Sequence, residues 1–127
     1  MKKQFIIYLL GSMLVFTSCG DQHKAQSLIK DFLKENLKTE DCSFETFGRL
    51  SRTAMIDTKR IQEMRRDTEG LPTFKKGIDY HDNAPTDTLL YMQATYKLTE
   101  SNGKEKEYKQ TFYMDKALTR VVVFKEY

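Results

Sequence analysis

Residues 88–114 read TLLYMQATYKLTESNGKEKEYKQTFYM, and the parity of their side chains decides the fold. Two stretches rich in aromatic and β-branched residues, Thr88–Thr99 and Glu105–Met114, flank Ser101-Asn102-Gly103. The first sets Leu90, Met92, Ala94, Tyr96 and Leu98 on one side of a strand, and the second sets Tyr108, Phe112 and Met114 on one side. A two-residue turn at Asn102-Gly103 would put Tyr96 opposite Lys109 and send the two apolar rows to opposite faces. A three-residue loop, Ser101–Gly103, with Gly103 left-handed, pairs Tyr96 with Tyr108, Met92 with Phe112 and Leu90 with Met114. The sequence therefore predicts a type I turn followed by a G1 bulge.

Thr119–Tyr127 continues the meander and is apolar on both faces through Val121, Val122, Val123 and Phe124, as in a strand that is central or covered on both sides. The turn before it, Asp115–Leu118, leaves its register open. Upstream, KAQSLIKDFLKENLK at 24–38 places Ala25, Leu28, Ile29, Phe32, Leu33 and Leu37 along one helical face. Lys30, Lys34 and Lys38 fall on the polar side, with Asp31–Lys34 and Glu35–Lys38 as expected ion pairs and Asp21 as a cap or first-turn acid. This lysine row reads as a solvated face, with anionic headgroups as the alternative contact. Ser43–Leu50 reads as a short strand with a bulge or bend at Gly48. Asp57 is expected to cap a helix over Thr58–Arg66, with Ile61 and Met64 inward and a salt-bridged basic surface. Phe74–Tyr80 reads as an edge strand interrupted by Gly77, and His81–Asp87 as a polar loop. Together these describe one α+β domain over 24–127, an N-terminal amphipathic helix packed on a curved antiparallel β-sheet that ends in a three-stranded meander.

The N-terminus has a different character. Lys2 and Lys3 precede the twelve apolar-centred residues Phe5–Phe16, and Thr17-Ser18-Cys19-Gly20 follows. A basic start, a short apolar centre and small residues before a break make a secretory signal peptide. The apolar run is too short for a spanning helix, which needs ~20 residues. Phe16-Thr17-Ser18-Cys19 resembles the cleavage box of bacterial lipoproteins, in the Bacteroidetes-type version that tolerates a bulky residue in place of leucine. That resemblance implies cleavage after residue 18, a diacylglyceryl thioether on Cys19 and an acylated amino group; residues 19–23 then form a short tether. A signal peptide cut elsewhere is the alternative. In that family an acidic cluster after the cysteine marks export to the cell surface. Gly20-Asp21-Gln22-His23-Lys24 holds one acid, so the expected place is the outer membrane, facing the periplasm. The order of elements over 24–127 is similar to the cystatin-like and NTF2-like folds. The inhibitory motif Gln-x-Val-x-Gly of cystatins is missing, since Gln93-Ala94-Thr95-Tyr96-Lys97 departs at its third and fifth places.

Of 127 residues the signal removes 18, leaving 109; Lys2 and Lys3 leave with it, so 19 basic residues face 18 acidic ones. Near-neutral charge argues against nucleic-acid binding. A Cys19–Cys42 disulfide and lipidation of Cys19 exclude each other, and with lipid on Cys19, Cys42 reads as a free, buried thiol. Asp79-Tyr80-His81-Asp82-Asn83 offers carboxylates and an imidazole, but its spacing matches no metal motif and reads as an Asp/Asn-rich turn. No cofactor is implied. The predicted register sets Tyr91 opposite Tyr113, with Leu89 at the end of the same face. That pair is either a cross-strand stabilising contact or, with Leu89, an exposed face for an envelope protein, a second copy or a glycan. The inward set, Leu28, Phe32, Leu90, Met92, Tyr96, Tyr108, Phe112 and Met114, is apolar apart from two phenols. The sequence thus points to a membrane-tethered, non-enzymatic binding or scaffold domain, with a small-ligand or hydrolase-like pocket between helix and sheet as the alternative.

Overall fold

The computed structural model describes residues 20–39, 41–52, 56–82 and 88–126. The expected signal segment, Cys19, Asn83, Asp87 and Tyr127 lie outside these. Helix α1 is described over 20–36, followed by strands β1 (Cys42–Phe47) and β2 (Ser51–Arg52), helix α2 (Thr58–Glu69) and strands β3 (Leu89–Thr99), β4 (Glu105–Asp115) and β5 (Val121–Glu126). The architecture is α+β, with an open antiparallel sheet in the order β1-β3-β4-β5 and β2 alongside β3.

The meander follows the register that parity requires. Tyr96 pairs with Tyr108, Met92 with Phe112 and Leu90 with Met114. Gly103 has φ +81°, its N–H donates to the Glu100 carbonyl (2.9 Å), and the Glu100 N–H donates to the Lys104 carbonyl (2.8 Å). Only glycine adopts that backbone without steric cost, so one residue holds the register of the longest strand pair.

The other strands depart from expectation in detail. The ladder with β3 is irregular between Phe44 and Thr46 and again just past Gly48, where the four steps from Phe47 to Ser51 face the three from Ala94 to Tyr91, the bend expected there. Gly48 itself continues the ladder by donating to the Gln93 carbonyl (2.8 Å), and a Cβ there would lie 3.4 Å from that of Gln93. Strand β5 is covered on both faces, although it is the end strand of the described sheet. A shift between Tyr113 and Met114 lets Val121 and Phe124 face one core while Val122 and Val123 face the other. Phe74–Tyr80 is not a strand. Phe74 bridges Leu37, and the surrounding backbone bonds the end of α1: Lys38 N–H to the Thr73 carbonyl (2.9 Å) and Lys75 N–H to the Asn36 carbonyl (2.8 Å). Those bonds occupy the carbonyl and N–H groups that a sheet pairing would need.

Helix α1 buries Ala25, Ile29, Phe32, Leu33 and Asn36, the apolar stripe read from the spacing plus one asparagine that bonds the Phe32 carbonyl (2.9 Å). The helix already includes residues 20–23, expected as tether, because Gln22 is anchored to the 48–50 segment from both ends of its carboxamide. Neither Asp31–Lys34 nor Glu35–Lys38 forms among the described residues; Glu35 turns to His81 and Lys30 sits over the Phe44 and Phe47 rings. Asp57 caps α2 as expected, accepting from the Arg60 N–H at 2.8 Å, but the helix runs a turn further, to Glu69.

The two helices cover opposite faces of the sheet. Against α1, Phe32 meets Phe112, Phe124 and Tyr80 at ring separations of 6.1, 5.6 and 5.9 Å, and Phe74 meets Phe124 at 4.7 Å. Against α2, Ile61 and Met64 pack on Leu89, Tyr113, Val122 and Val123. The result is three layers, helix, sheet and helix. Replacing Gly103 with valine is expected to cost about 1–2 kcal/mol, because a β-branched residue is forced left-handed. Thermal unfolding followed by circular dichroism should show a fall of roughly 5–10 °C, whereas valine at exposed Ser101 should change little.

Candidate functional site

Of the two readings of the Tyr91–Tyr113 face, the structure favours the stabilising contact over the open docking face. Tyr91 and Tyr113 do stand opposite each other, with rings 5.9 Å apart, but Leu89 and Tyr113 are 0% and 8% exposed beneath α2. Tyr91 is half-buried at the margin of the same core. The three residues form the floor of a second core, so the pair stabilises the sheet rather than greeting a partner. The sequence turns Ile61 and Met64 of α2 inward but carries no signal of which sheet face they cover.

The Asp79–Asp82 turn also differs from its chemical reading. Asp79 accepts the His81 N–H (2.8 Å) and holds His81 at φ +53°. The His81 ring lies between Glu35 (3.2 Å from Nε2) and Asp79 (3.4 Å from Nδ1), all three exposed. Asp82 turns the other way. Arg65 Nη1 and Nη2 donate to its two oxygens at 2.8 and 2.9 Å, and Arg120 Nη1 donates to Oδ1 at 2.9 Å. Among the described residues no group of three histidine, cysteine, aspartate or glutamate side chains is arranged to hold a metal. Cys42 is a free, half-buried thiol whose burial pushes its pKa up, away from the reactive thiolate. It packs on the α1-side core, while His81 is engaged by Glu35 and Asp79.

Sequence reasoning missed Arg65 and Arg120 as partners, having read Arg65 within the salt-bridged surface of α2. Arg65 also donates from Nε and Nη2 to the Val122 carbonyl (2.9 and 2.7 Å) and lies 4.1 Å over the Tyr80 ring. One guanidinium thus joins α2, the β5 backbone and the 79–82 turn. Its hydrogen bonds, then the nearby Arg65 and Arg120 charges, hold the Asp82 carboxyl below the usual carboxylate range despite some burial. The sequence spacing of Arg65, Asp82 and Arg120 is long, and no local pattern flags them. Gln110 was missed for a simpler reason, as a polar residue in an apolar row. It is fully buried, accepts from the Tyr96 hydroxyl (2.6 Å) and donates to Glu126 (3.3 Å). Burial pushes the Tyr96 phenol up, keeping it a neutral donor.

Beside this clamp the surface opens into a cleft of about 410 Å³ lined by Gln62, Arg66, Glu69, Lys75, Ile78 and Tyr80. Across Tyr80 lies a smaller one of about 180 Å³, bordered by Asp31, Glu35, Asp79 and His81, below the ~300 Å³ of ordinary small-molecule sites. Burial pushes the Tyr80 phenol up, partly offset by Thr68 and Arg65, so the larger cleft presents a neutral phenol, three cations (Arg65, Arg66 and Lys75) and one carboxylate. Such a set can hold a polar or anionic group. No helix among the described residues is long and apolar enough to cross a membrane.

Two outcomes follow from this geometry. Tyr113→Ser should cost about 3 kcal/mol or more in urea unfolding, the effect of emptying a buried aromatic site. Asp82→Asn should cost of order 1 kcal/mol at neutral pH, discounted because the carboxylate is 57% exposed. Since the folded pKa is depressed, that stability is present above the unfolded value near ~3.9 and is lost as pH falls through the folded one. The gap between wild type and variant should therefore close below about pH 4.

Comparison of the chain with protein families, with curated proteins and with solved structures finds no match.

Proposed function

We propose that the chain is an exported lipoprotein, cut after residue 18 and held on an envelope membrane by acyl chains on Cys19. Its domain is a non-enzymatic binding or scaffold module. The observation that carries this reading is the run Lys2-Lys3, Phe5–Phe16, Thr17-Ser18-Cys19, a signal peptide ending in a lipoprotein-type cysteine. Two or more acyl chains, at ~0.8 kcal/mol per buried CH₂, make such an anchor lasting. The poor acidic content after Cys19 supports the outer membrane, facing the periplasm, over the cell surface. The long first helix laid on an antiparallel meander supports a cystatin-like or NTF2-like fold for the domain.

The module reading draws on how the interior is filled. Phe32, Phe74, Phe112 and Phe124 occupy the space between α1 and the sheet where the competing reading would place a ligand pocket. A partner of the envelope, protein or glycan, is then left with the outer surface, where the cleft beside Tyr80 with Arg66 and Lys75 offers it polar and cationic groups. The near-neutral mature chain does not favour nucleic acid.

Cys19→Ala, expressed with its own signal, should move the protein from the membrane fraction to the soluble periplasm. Retention of the variant on membranes would overturn the lipid anchor. Intact mass of the native product should show the acyl chains on a new amino terminus at Cys19.

A further inference from the structure

We infer that one end of the domain, built from the first turns of α1, the 48–52 segment and the β4–β5 turn, is a basic surface that lies on anionic lipid headgroups. The inference rests on the reading of Cys19 as the anchor and adds the orientation of the domain above the membrane. Gly20, the covalent neighbour of Cys19, is already helical, and consecutive Cα atoms are ~3.8 Å apart. No flexible spacer separates the acyl chains from the folded body, so the surface around the start of α1 is held against the bilayer.

Hydrogen bonds lock the three segments to one another. Gln22 donates from Nε2 to the Gly48 carbonyl (2.9 Å) and accepts at Oε1 from the Leu50 N–H (2.9 Å). Lys24 Nζ reaches the Ala117 carbonyl (3.5 Å). Pairing of Arg52 with Leu90 and of Leu89 with Asp115 brings β2 and the end of β4 to the same end of the sheet. Lys24, Arg49, Arg52 and Lys116 are exposed here, with His23 beside them. Among the described residues of this end the acids are fewer. Asp21 is exposed, while Asp115 is spent on the Thr119 and Arg120 N–H groups (2.7 and 3.0 Å). The opposite end differs, because Glu100, Glu105 and Glu107 alternate there with Lys104 and Lys106.

Distance separates this surface from the lysine row of α1. At 1.5 Å per residue Lys24 stands about 6 Å along the axis from Gly20, whereas Lys34 stands about 21 Å away. Only the first lies within the Debye length of ~8 Å over which headgroup charge is felt. Each basic residue near such a surface strengthens contact by about fivefold.

The test uses the acylated native protein reconstituted in vesicles of phosphatidylcholine with 30% phosphatidylglycerol, and in phosphatidylcholine alone. Brief acetylation by a water-soluble reagent, read lysine by lysine by mass spectrometry, reports which end is shielded. In anionic vesicles Lys24 and Lys116 should react at least threefold more slowly than in detergent, with Lys104 and Lys106 unchanged. The shielding of Lys24 and Lys116 should fall in neutral vesicles, in 0.5 M salt and in the double variant R49E/R52E, which keeps both reporter lysines. Equal reactivity at both ends of an acylated protein would overturn the orientation and leave the anchor standing. An N-terminal peptide without acyl chains would overturn the anchor itself, and this surface with it.

Discussion

Eleven consecutive residue pairs join β3 to β4, and the loop that closes them fixes which side chains share a face. Because side chains alternate with period two, slipping this ladder by one residue would exchange both faces at once. Met92, Tyr96, Phe112 and Met114 would lose α1, and Leu89, Tyr113 and Gln93 would turn to meet it. Every later contact inherits that choice. The aromatic cluster around Phe32, the seat of α2 on Leu89 and Tyr113, and the bulged alternation of β5 are all set by the position of Gly103.

A second constraint closes the far edge. Strand β5 ends the described sheet and presents backbone groups that could pair with another chain. Arg65 occupies the Val122 carbonyl with two N–H groups, while Asp82 and the Tyr80 ring hold its guanidinium in place. The bidentate fork matters, since a lysine could not serve the carbonyl and both carboxylate oxygens together. Arg120, 8% exposed at its side chain, shares the same carboxylate, so the turn at 79–82 is joined to α2 and to the start of β5 by charge-assisted bonds. Arg65 and Tyr80 of this clamp line the cleft, together with other residues of α2 and of the 75–78 segment, which gives any ligand there a partly prearranged wall.

Legibility followed sequence distance. The α1 stripe, the Asp57 cap and the Ser101–Gly103 loop were readable because their partners lie within a few residues. The choice between a stabilising pair and a docking face at Leu89, Tyr91 and Tyr113 stayed open in the sequence because their cover, α2, lies at least twenty residues upstream and its stripe names no partner. Gln110 was passed over because its partners, Tyr96 and Glu126, stand on neighbouring strands. The site clamp was illegible for the same reason: Arg65, Asp82 and Arg120 meet only after α2 has docked on the sheet.

The sequence by itself determined the α+β class, the meander and its register, since apolar parity and a glycine that tolerates positive φ are local properties. It also carries the whole argument for export and lipidation, which rests on the order of charge, apolarity and small residues in the first nineteen positions. Only the tertiary structure decided that the sheet is covered on both faces, that three ionic side chains lock its edge, and that the basic residues around the start of α1 gather at one end. Those outcomes depend on packing between distant segments, where each residue's role is set by what another element leaves uncovered.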